Sequence, residues 1–237
     1  MSALSLLYQR EYKINDSISI VIPSVGEIME NEDDYYTIIT TLTAMPIDLM
    51  VQLDDLGIDF TKCSEYELFL IMSAGLKAMD TSLVFGDLDF SEFESSVDLT
   101  TGKVVLKNPN TGVVIDRAIQ SQIASVLRKI HHLEKNRRKA GNEEAKEYMI
   151  KRAREKAKRS RNRKHFSQLE QLIVAMVNTE QFKYGYEEVK NLSIYQFNES
   201  VRQIIKKTDY DNKMYGIYAG TVNPKDMSQK DLNWLVH

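Results

Sequence analysis

Serine residues mark the predicted starts of several helices in this chain. Ser24, Ser64, Ser167 and Ser193 are each followed three residues later by Glu or Gln and then by apolar residues. In this capping-box pattern, the serine side chain and the Glu or Gln side chain bond the free backbone N–H groups at the start of a helix. The pattern therefore predicts four helix starts. Gly57, just after an apolar segment of helical spacing, is predicted to end a further helix.

A longer helix is predicted from Asp116. The apolar residues after it recur at three- and four-residue spacing and form one stripe: Ile119, Ile123, Val126, Leu127, Ile130 and Leu133. We expect this helix to continue to residue 166, with Gly141-Asn142 as the place where it would be interrupted.

Two regions have strand character. Residues 17–22 (SISIVI) alternate polar and apolar side chains and are β-branched, which is typical of a short strand. Residues 82–116 are predicted to contain two to four short strands, including a hairpin whose turn is NPNTG. The expected fold is therefore an α-dominant α+β fold.

Three units are predicted along the chain. Residues 1–116 form an N-terminal helical unit with a small antiparallel β element, and residues 117–166 form a long helix with a basic segment. Residues 167–237 form a C-terminal helical unit. With 43% hydrophobic residues, the chain can bury a substantial core.

Charge changes the picture in the middle of the chain. The basic segment, residues 128–165, has 16 Lys and Arg against 5 Asp and Glu, while the remaining residues have 15 against 29. A formal net charge of −3 therefore conceals two parts of opposite sign. Such a segment favours a polyanion, an acidic partner or the acidic remainder of its own molecule.

The basic residues are too dense to lie on one helix face. This arrangement suits nucleic-acid phosphates, an acidic protein surface, or simply a solvated helix, and the residues alone leave these readings open. The cations that we expect to contact a partner are Arg152, Arg154, Lys158, Arg159, Arg161 and Arg163.

Aromatic residues near the C-terminus are the other candidate contacts. Tyr215, Tyr218 and Trp234 lie among turn-forming residues. One account is that this segment packs back on the helices of residues 167–207 as core. The other is that it anchors a partner, since Trp and Tyr are enriched in interface hot spots.

No motif indicates an enzyme. His131 and His132 are adjacent and diverge by about 100° on a helix, so they do not form a metal-binding pair. The acidic string of residues 87–94 lacks the glycine and the terminal glutamate of a calcium loop. Cys63, before a predicted helix, has no histidine near it in sequence. We therefore expect a non-enzymatic protein without a cofactor or metal.

The location follows from composition. A single cysteine fits a reducing compartment, and the N-terminal apolar run is too short and too soon charged for a signal peptide. No window approaches the ~20 apolar residues of a spanning helix, so we expect no membrane partner.

Two stretches, residues 20–90 and 186–234, carry a resemblance to a known class of proteins. The second includes YEEVKNLSIYQFNESVRQIIKK and MYGIYAGT. The most distinctive pieces of the first are Tyr35-Tyr36, Pro46-x-Asp48, Gly57-Ile58-Asp59 and Phe85-Gly86-x-Leu88-x-Phe90. Both stretches resemble tail assembly chaperone or baseplate-hub accessory proteins of tailed bacteriophages.

The resemblance implies a helical, non-catalytic protein that binds other phage tail or baseplate proteins, as a chaperone or as a structural component. It would act in the host cytoplasm or become part of the virion tail, and self-association stays open. The alternative is a nucleic-acid-binding protein that uses residues 143–165 on phosphates.

Overall fold

The computed structural model describes residues 3–99, 101–160, 167–228 and 231–235. Helical residues make up 54% of the structure, and the strands form two small antiparallel sheets, so the predicted α-dominant α+β fold is confirmed. The helices are α1 (Ala3–Tyr8), α2 (Val25–Glu30), α3 (Glu32–Thr43), α4 (Met50–Asp55), α5 (Glu65–Leu76), α6 (Ser82–Phe85), α7 (Arg117–Ile130), α8 (Glu143–Ser160), α9 (Gln168–Val177), α10 (Tyr186–Val189) and α11 (Ile194–Tyr218).

The strands follow the predicted positions in part. β1 (Glu11–Lys13) pairs with β2 (Ser19–Val21), which lies inside the predicted strand at residues 17–22. A second sheet has the order β3 (Glu94–Val97), β4 (Val104–Lys107), β5 (Val114–Ile115). Three strands thus lie between residues 82 and 116, as predicted, and the segment before them forms α6 and a short 3-10 turn instead.

The helix starts show how far local pattern determines structure. Ser24, Ser64 and Ser193 each form the complete capping box. Ser167 accepts from the backbone N–H of Glu170 at 2.8 Å, but its hydroxyl donates to Glu32 of α3 at 2.5 Å. Glu32 also accepts from the backbone N–H of Leu169, so a distant carboxylate completes this cap.

The predicted helix of residues 117–166 is interrupted over residues 131–142, a longer break than the one expected at Gly141-Asn142. Its apolar stripe is buried through Ile130, where α7 ends. His132 takes a left-handed conformation with φ 52°, and the N–H of Leu133 donates to the carbonyl of Arg128 at 2.8 Å. This bond closes a Schellman motif, which ends α7 well before Gly141-Asn142. The basic helix is the separate α8.

One apolar cluster joins the beginning and the end of the chain. Leu6, Ile22 and Leu42 are buried together with Val189 and Phe197. Backbone bonds reinforce this junction, because the N–H of Ile194 donates to the carbonyl of Pro23 at 2.8 Å. The boundaries at residues 116 and 166 stay predictions, and side chains from the first and third units share this cluster.

A second, smaller apolar cluster includes Leu53 of α4, and α8 packs against it. Its buried members are Ala44, Ile47, Leu53, Phe60 and Leu68. Side chains of the basic segment pack against it from outside: Ala140, Met149 and Ile150. This second cluster positions the basic segment.

Candidate protein-binding surfaces

Residues close in sequence stabilise the start of α8, the helix of the basic segment. The side chain of Asn142 accepts from the backbone N–H of Ala145 at 2.8 Å, and Glu143 and Glu144 occupy the first turn of α8. Acidic residues are favourable there because the N-terminal end of a helix carries partial positive charge. The remaining residues are mostly Ala, Glu, Lys and Arg, which are strong helix formers.

One face of α8 docks on the acidic N-terminal unit. Lys146 pairs with Asp59 at 3.2 Å, and Arg154 pairs with Asp54 at 2.7 Å and Asp55 at 2.5 Å. Between these cations, Ile150 packs against the second cluster. Part of the positive charge of the basic segment therefore contacts the acidic remainder of the same molecule.

Asp59 is held in its ionised form at this contact. Its carboxylate accepts from the hydroxyl and the backbone N–H of Thr61 at 2.7 and 3.0 Å. These bonds, with a smaller contribution from Lys146, lower the pKa of Asp59 to about 2. The partner of Lys146 is therefore charged at neutral pH.

The loop of residues 131–142 between α7 and α8 is anchored by a second set of contacts. Glu65 pairs with both Arg128 and Lys135, and Arg128 also donates to the carbonyl of Thr43 at 2.5 Å. The Asn136 amide donates to Asp48 at 2.7 Å. Burial by itself would raise the pKa of Glu65, but the hydrogen bonds from Lys135 and Arg128 outweigh it and the pKa lies below its usual value. The loop is thus fixed at its start.

The exposed surface of α8 that makes none of these docking contacts, called here its outer face, extends from the flank beside Asp54 around the helix. Within the described ranges, its exposed cations form no ion pair: Lys151, Arg152, Lys156, Lys158 and Arg159. Three residues predicted to bind a partner, Arg152, Lys158 and Arg159, belong to this outer face. Arg154, predicted with them, is engaged with Asp54 and Asp55, and Arg161 and Arg163 lie outside the described residues.

The second candidate surface is the C-terminal arm, defined here as residues 205–235. α11 is a 25-residue helix whose buried residues lie in its first turn. Among the described residues of the arm, none is buried. Ile205, Tyr215 and Tyr218 are 62%, 74% and 84% exposed. The predicted contacts Tyr215 and Tyr218 are therefore open to solvent.

The end of the chain packs back on the arm helix. Lys213 pairs with Asp231 at 2.6 Å, and the ammonium of Lys207 lies 5.8 Å from the ring centroid of Trp234. A Cβ at Gly216 would lie 2.7 Å from a methyl carbon of Val222, so glycine permits this close return. Trp234 is half-buried there. The account in which this segment packs as core on residues 167–207 is therefore corrected: the segment contacts α11 from Lys207 to Gly216, and none of its described residues is buried.

Sequence reasoning missed the acidic partners of the basic segment. Asp54, Asp55 and Glu65 were not singled out, and Asp59 was named only as part of the resemblance, because many carboxylates share the N-terminal region. The excess of acidic residues outside the basic segment was the available signal, and it indicates an acidic surface without identifying its members.

Other chemistry-bearing residues have structural contacts. Tyr35 Oη lies 2.9 Å from Nε2 of the half-buried His131, and His132 Nε2 lies 3.2 Å from Glu199. Burial and the charge of Glu67 raise the pKa of the Cys63 thiol. Within the part of the chain that the structure describes, no group of three His, Cys, Asp or Glu is arranged to hold a metal, and no helix has the length and apolar content needed to cross a membrane.

The C-terminal region is similar to a known domain family. Residues 158–237 match a family model described as the YomV second domain, a phage SPbeta-like protein family. The match contains α9, α10, α11 and the whole C-terminal arm. No curated protein and no solved structure matches the chain. The comparisons therefore associate the region that carries the C-terminal arm with bacteriophages.

Proposed function

We propose that this chain is a non-enzymatic phage assembly protein that binds other phage tail or baseplate proteins, as a chaperone or as a structural component. It acts in the host cytoplasm and can be carried into the virion tail. The C-terminal arm is the surface that contacts the partner. The outer face of α8 attracts acidic surfaces and speeds the encounter.

The exposed aromatic pair on the C-terminal arm carries this proposal. Tyr215 and Tyr218 are among the most exposed large hydrophobic side chains described, on the part of α11 that follows its buried first turn. Aromatic residues of this kind provide large contact area at low conformational cost and dominate interface energetics. The phage association of the matched region supports the phage setting.

A second function is supported by the outer face of α8. The exposed cations Lys151, Arg152, Lys156, Lys158 and Arg159 suit nucleic-acid phosphates. Tyr148, 62% exposed, is the aromatic residue on the same helix that could stack on a base. Binding through phosphates would weaken steeply with salt, in a straight line on logarithmic axes, whereas an aromatic protein interface depends on salt far less.

The test is affinity purification of the tagged full chain from phage-infected cells, followed by mass spectrometry, with and without nuclease. We expect phage tail or baseplate proteins to be recovered in both samples. A matched measurement at increasing salt distinguishes the two functions, because protein partners held by the C-terminal arm should remain bound where phosphate contacts are lost.

Recovery of phage proteins only in the absence of nuclease would contradict the proposal and favour nucleic-acid binding. Recovery of host proteins alone, with no phage structural protein among them, would also contradict it.

A further inference from the structure

A groove lies between the loop of residues 131–142 and the N-terminal unit. Its volume is about 580 Å³, within the range of small binding sites. Met45, Pro46, Ile47 and Phe60 form its apolar floor on one side. The other side is formed by residues 135–140.

The groove has fixed walls. Lys135 and Asn136 are tied to Glu65 and Asp48 at the start of the loop, and Ala140 packs against the second cluster at its far side. The side chain of Asn136 also accepts from the backbone N–H of Arg138 at 3.3 Å. The contacts that dock the basic segment therefore also hold the groove open.

Three cations on this wall have no partner in the chain as described. Arg137, Arg138 and Lys139 are exposed and line the groove, and within the described ranges none of them forms an ion pair. The nearby carboxylates of Asp48 and Glu65 already accept from Asn136 and from Lys135. The groove thus combines an apolar floor with uncompensated positive charge.

We propose that this groove binds an acidic peptide segment of a protein partner, with one apolar side chain of that segment inserted against the floor. Carboxylates of the segment pair with Arg137, Arg138 and Lys139. This site is distinct from the C-terminal arm and does not depend on the function assigned to it.

The floor favours a peptide over nucleic acid. Phe60 is 5% exposed, so its ring offers no face on which a base could stack. Met45 is half-buried. Thr61, an exposed polar residue that also lines the groove, already donates its hydroxyl to Asp59 at 2.7 Å. An aliphatic or aromatic side chain flanked by carboxylates matches both the floor and the wall.

The experiment selects binders from a library of randomised peptides displayed on yeast, using the full chain as the target. Counter-selection uses the triple variant R137S/R138S/K139S. The matched control is K151S/R152S/K156S, which removes three cations from the outer face of α8. Thermal unfolding followed by circular dichroism verifies that both variants remain folded.

We expect the selected peptides to contain Asp or Glu around one apolar residue. Fluorescence anisotropy should show their affinity falling about tenfold or more in the R137S/R138S/K139S variant and changing less than about twofold in the control. Replacing the apolar residue of the peptide with Ser should also cost about tenfold, and this change leaves the protein untouched.

Failure to enrich any peptide, or enrichment of peptides without acidic residues, would overturn the proposal. So would an equal loss of affinity in both variants. A single-stranded oligonucleotide that displaces the peptide and depends on the same three cations would assign the groove to nucleic acid instead.

Discussion

Arg154 of α8 lies 2.7 Å from Asp54 at the end of α4, and this pair joins the basic segment to the acidic N-terminal unit. Both side chains keep substantial exposure, 38% and 45%. Exposed ion pairs contribute about 0.5 kcal/mol, because water screens them and ordering two long side chains costs entropy. The apolar contact of Ile150 with the second cluster should therefore contribute more to docking than the ion pair.

The docking of α8 can be tested by two substitutions. Ile150→Ala should lower the free energy of unfolding by about 1–2 kcal/mol, since part of a packed side chain is lost. Arg154→Ala should cost less, because water screens its ion pairs. Denaturant unfolding and hydrogen exchange of α8 measure both effects, and Lys151→Ala on the outer face is the control. A larger cost for Arg154→Ala than for Ile150→Ala would contradict this order.

Arg128 should contribute more than any exposed cation of the basic segment. Its side chain is 12% exposed, its partner Glu65 is 15% exposed, and it also donates to the Thr43 carbonyl. Arg128→Ala should lower the free energy of unfolding by about 2–3 kcal/mol, because a carboxylate and a carbonyl lose their donor in a shielded place. Denaturant unfolding measures this change. Lys129→Ala is the neighbouring control, and an equal effect of both substitutions would contradict the role of Arg128.

Replacing Gly57 or Gly75 with alanine should change the free energy of unfolding in opposite directions. Gly57 has φ +72°, so Gly57→Ala should lower the free energy of unfolding by about 1 kcal/mol. Gly75 lies within α5 with open space where a Cβ would be, so Gly75→Ala should raise it by about 0.5–1 kcal/mol. Thermal and denaturant unfolding compare the two. A gain for Gly57→Ala would contradict the left-handed helix end.

His131 should make folding sensitive to mild acid. Burial, with a smaller effect of His132, lowers its pKa from 6.5 to about 4, and its Nε2 contacts the hydroxyl of Tyr35. Between pH 6.5 and pH 4, His131 is therefore protonated in the unfolded chain but neutral in the folded state. The free energy of unfolding should fall with decreasing pH towards pH 4, by about 3 kcal/mol in total.

The comparison that isolates this effect uses His131→Gln, which should remove that part of the pH dependence. Tyr35→Phe removes the hydroxyl but keeps the imidazole, so it should retain the dependence. The pKa of His132 is lowered too and contributes equally to all three proteins. An unchanged pH profile in His131→Gln would show that another group is responsible.

The sequence predicted those parts of the fold that depend on residues close together in the chain. The caps at Ser24, Ser64 and Ser193 each join residues three apart, and the stripe of α7 follows from helical period. The end of α7 was missed because His132, a residue other than glycine, takes the left-handed conformation. Sequence pattern has no strong signal for such a residue.

The candidate surfaces were predicted only in outline for a related reason. The pattern located the charged segment and the exposed aromatic residues, but Arg154 and its partner Asp54 are 100 positions apart in the chain. Which cations are neutralised within the molecule and which remain open depends on that long-range packing. The same holds for Glu32, which completes the cap of α9 from 135 positions away.

The most direct test of the proposed function compares two altered chains in the same purification from infected cells. Tyr215→Ala/Tyr218→Ala removes the exposed aromatic pair of the C-terminal arm, and K151S/R152S/K158S removes cations from the outer face of α8. Because Tyr215 and Tyr218 are so exposed, their loss should change the free energy of unfolding by less than about 0.5 kcal/mol. Tyr8→Ala, at an equally exposed tyrosine, is the control.

The account predicts that recovery of phage tail or baseplate proteins falls about tenfold or more with the aromatic variant. It should fall only slightly with the α8 variant at physiological salt and stay unchanged with the Tyr8 control. Full recovery with the aromatic variant, together with loss in the α8 variant, would contradict the account and assign binding to the basic helix.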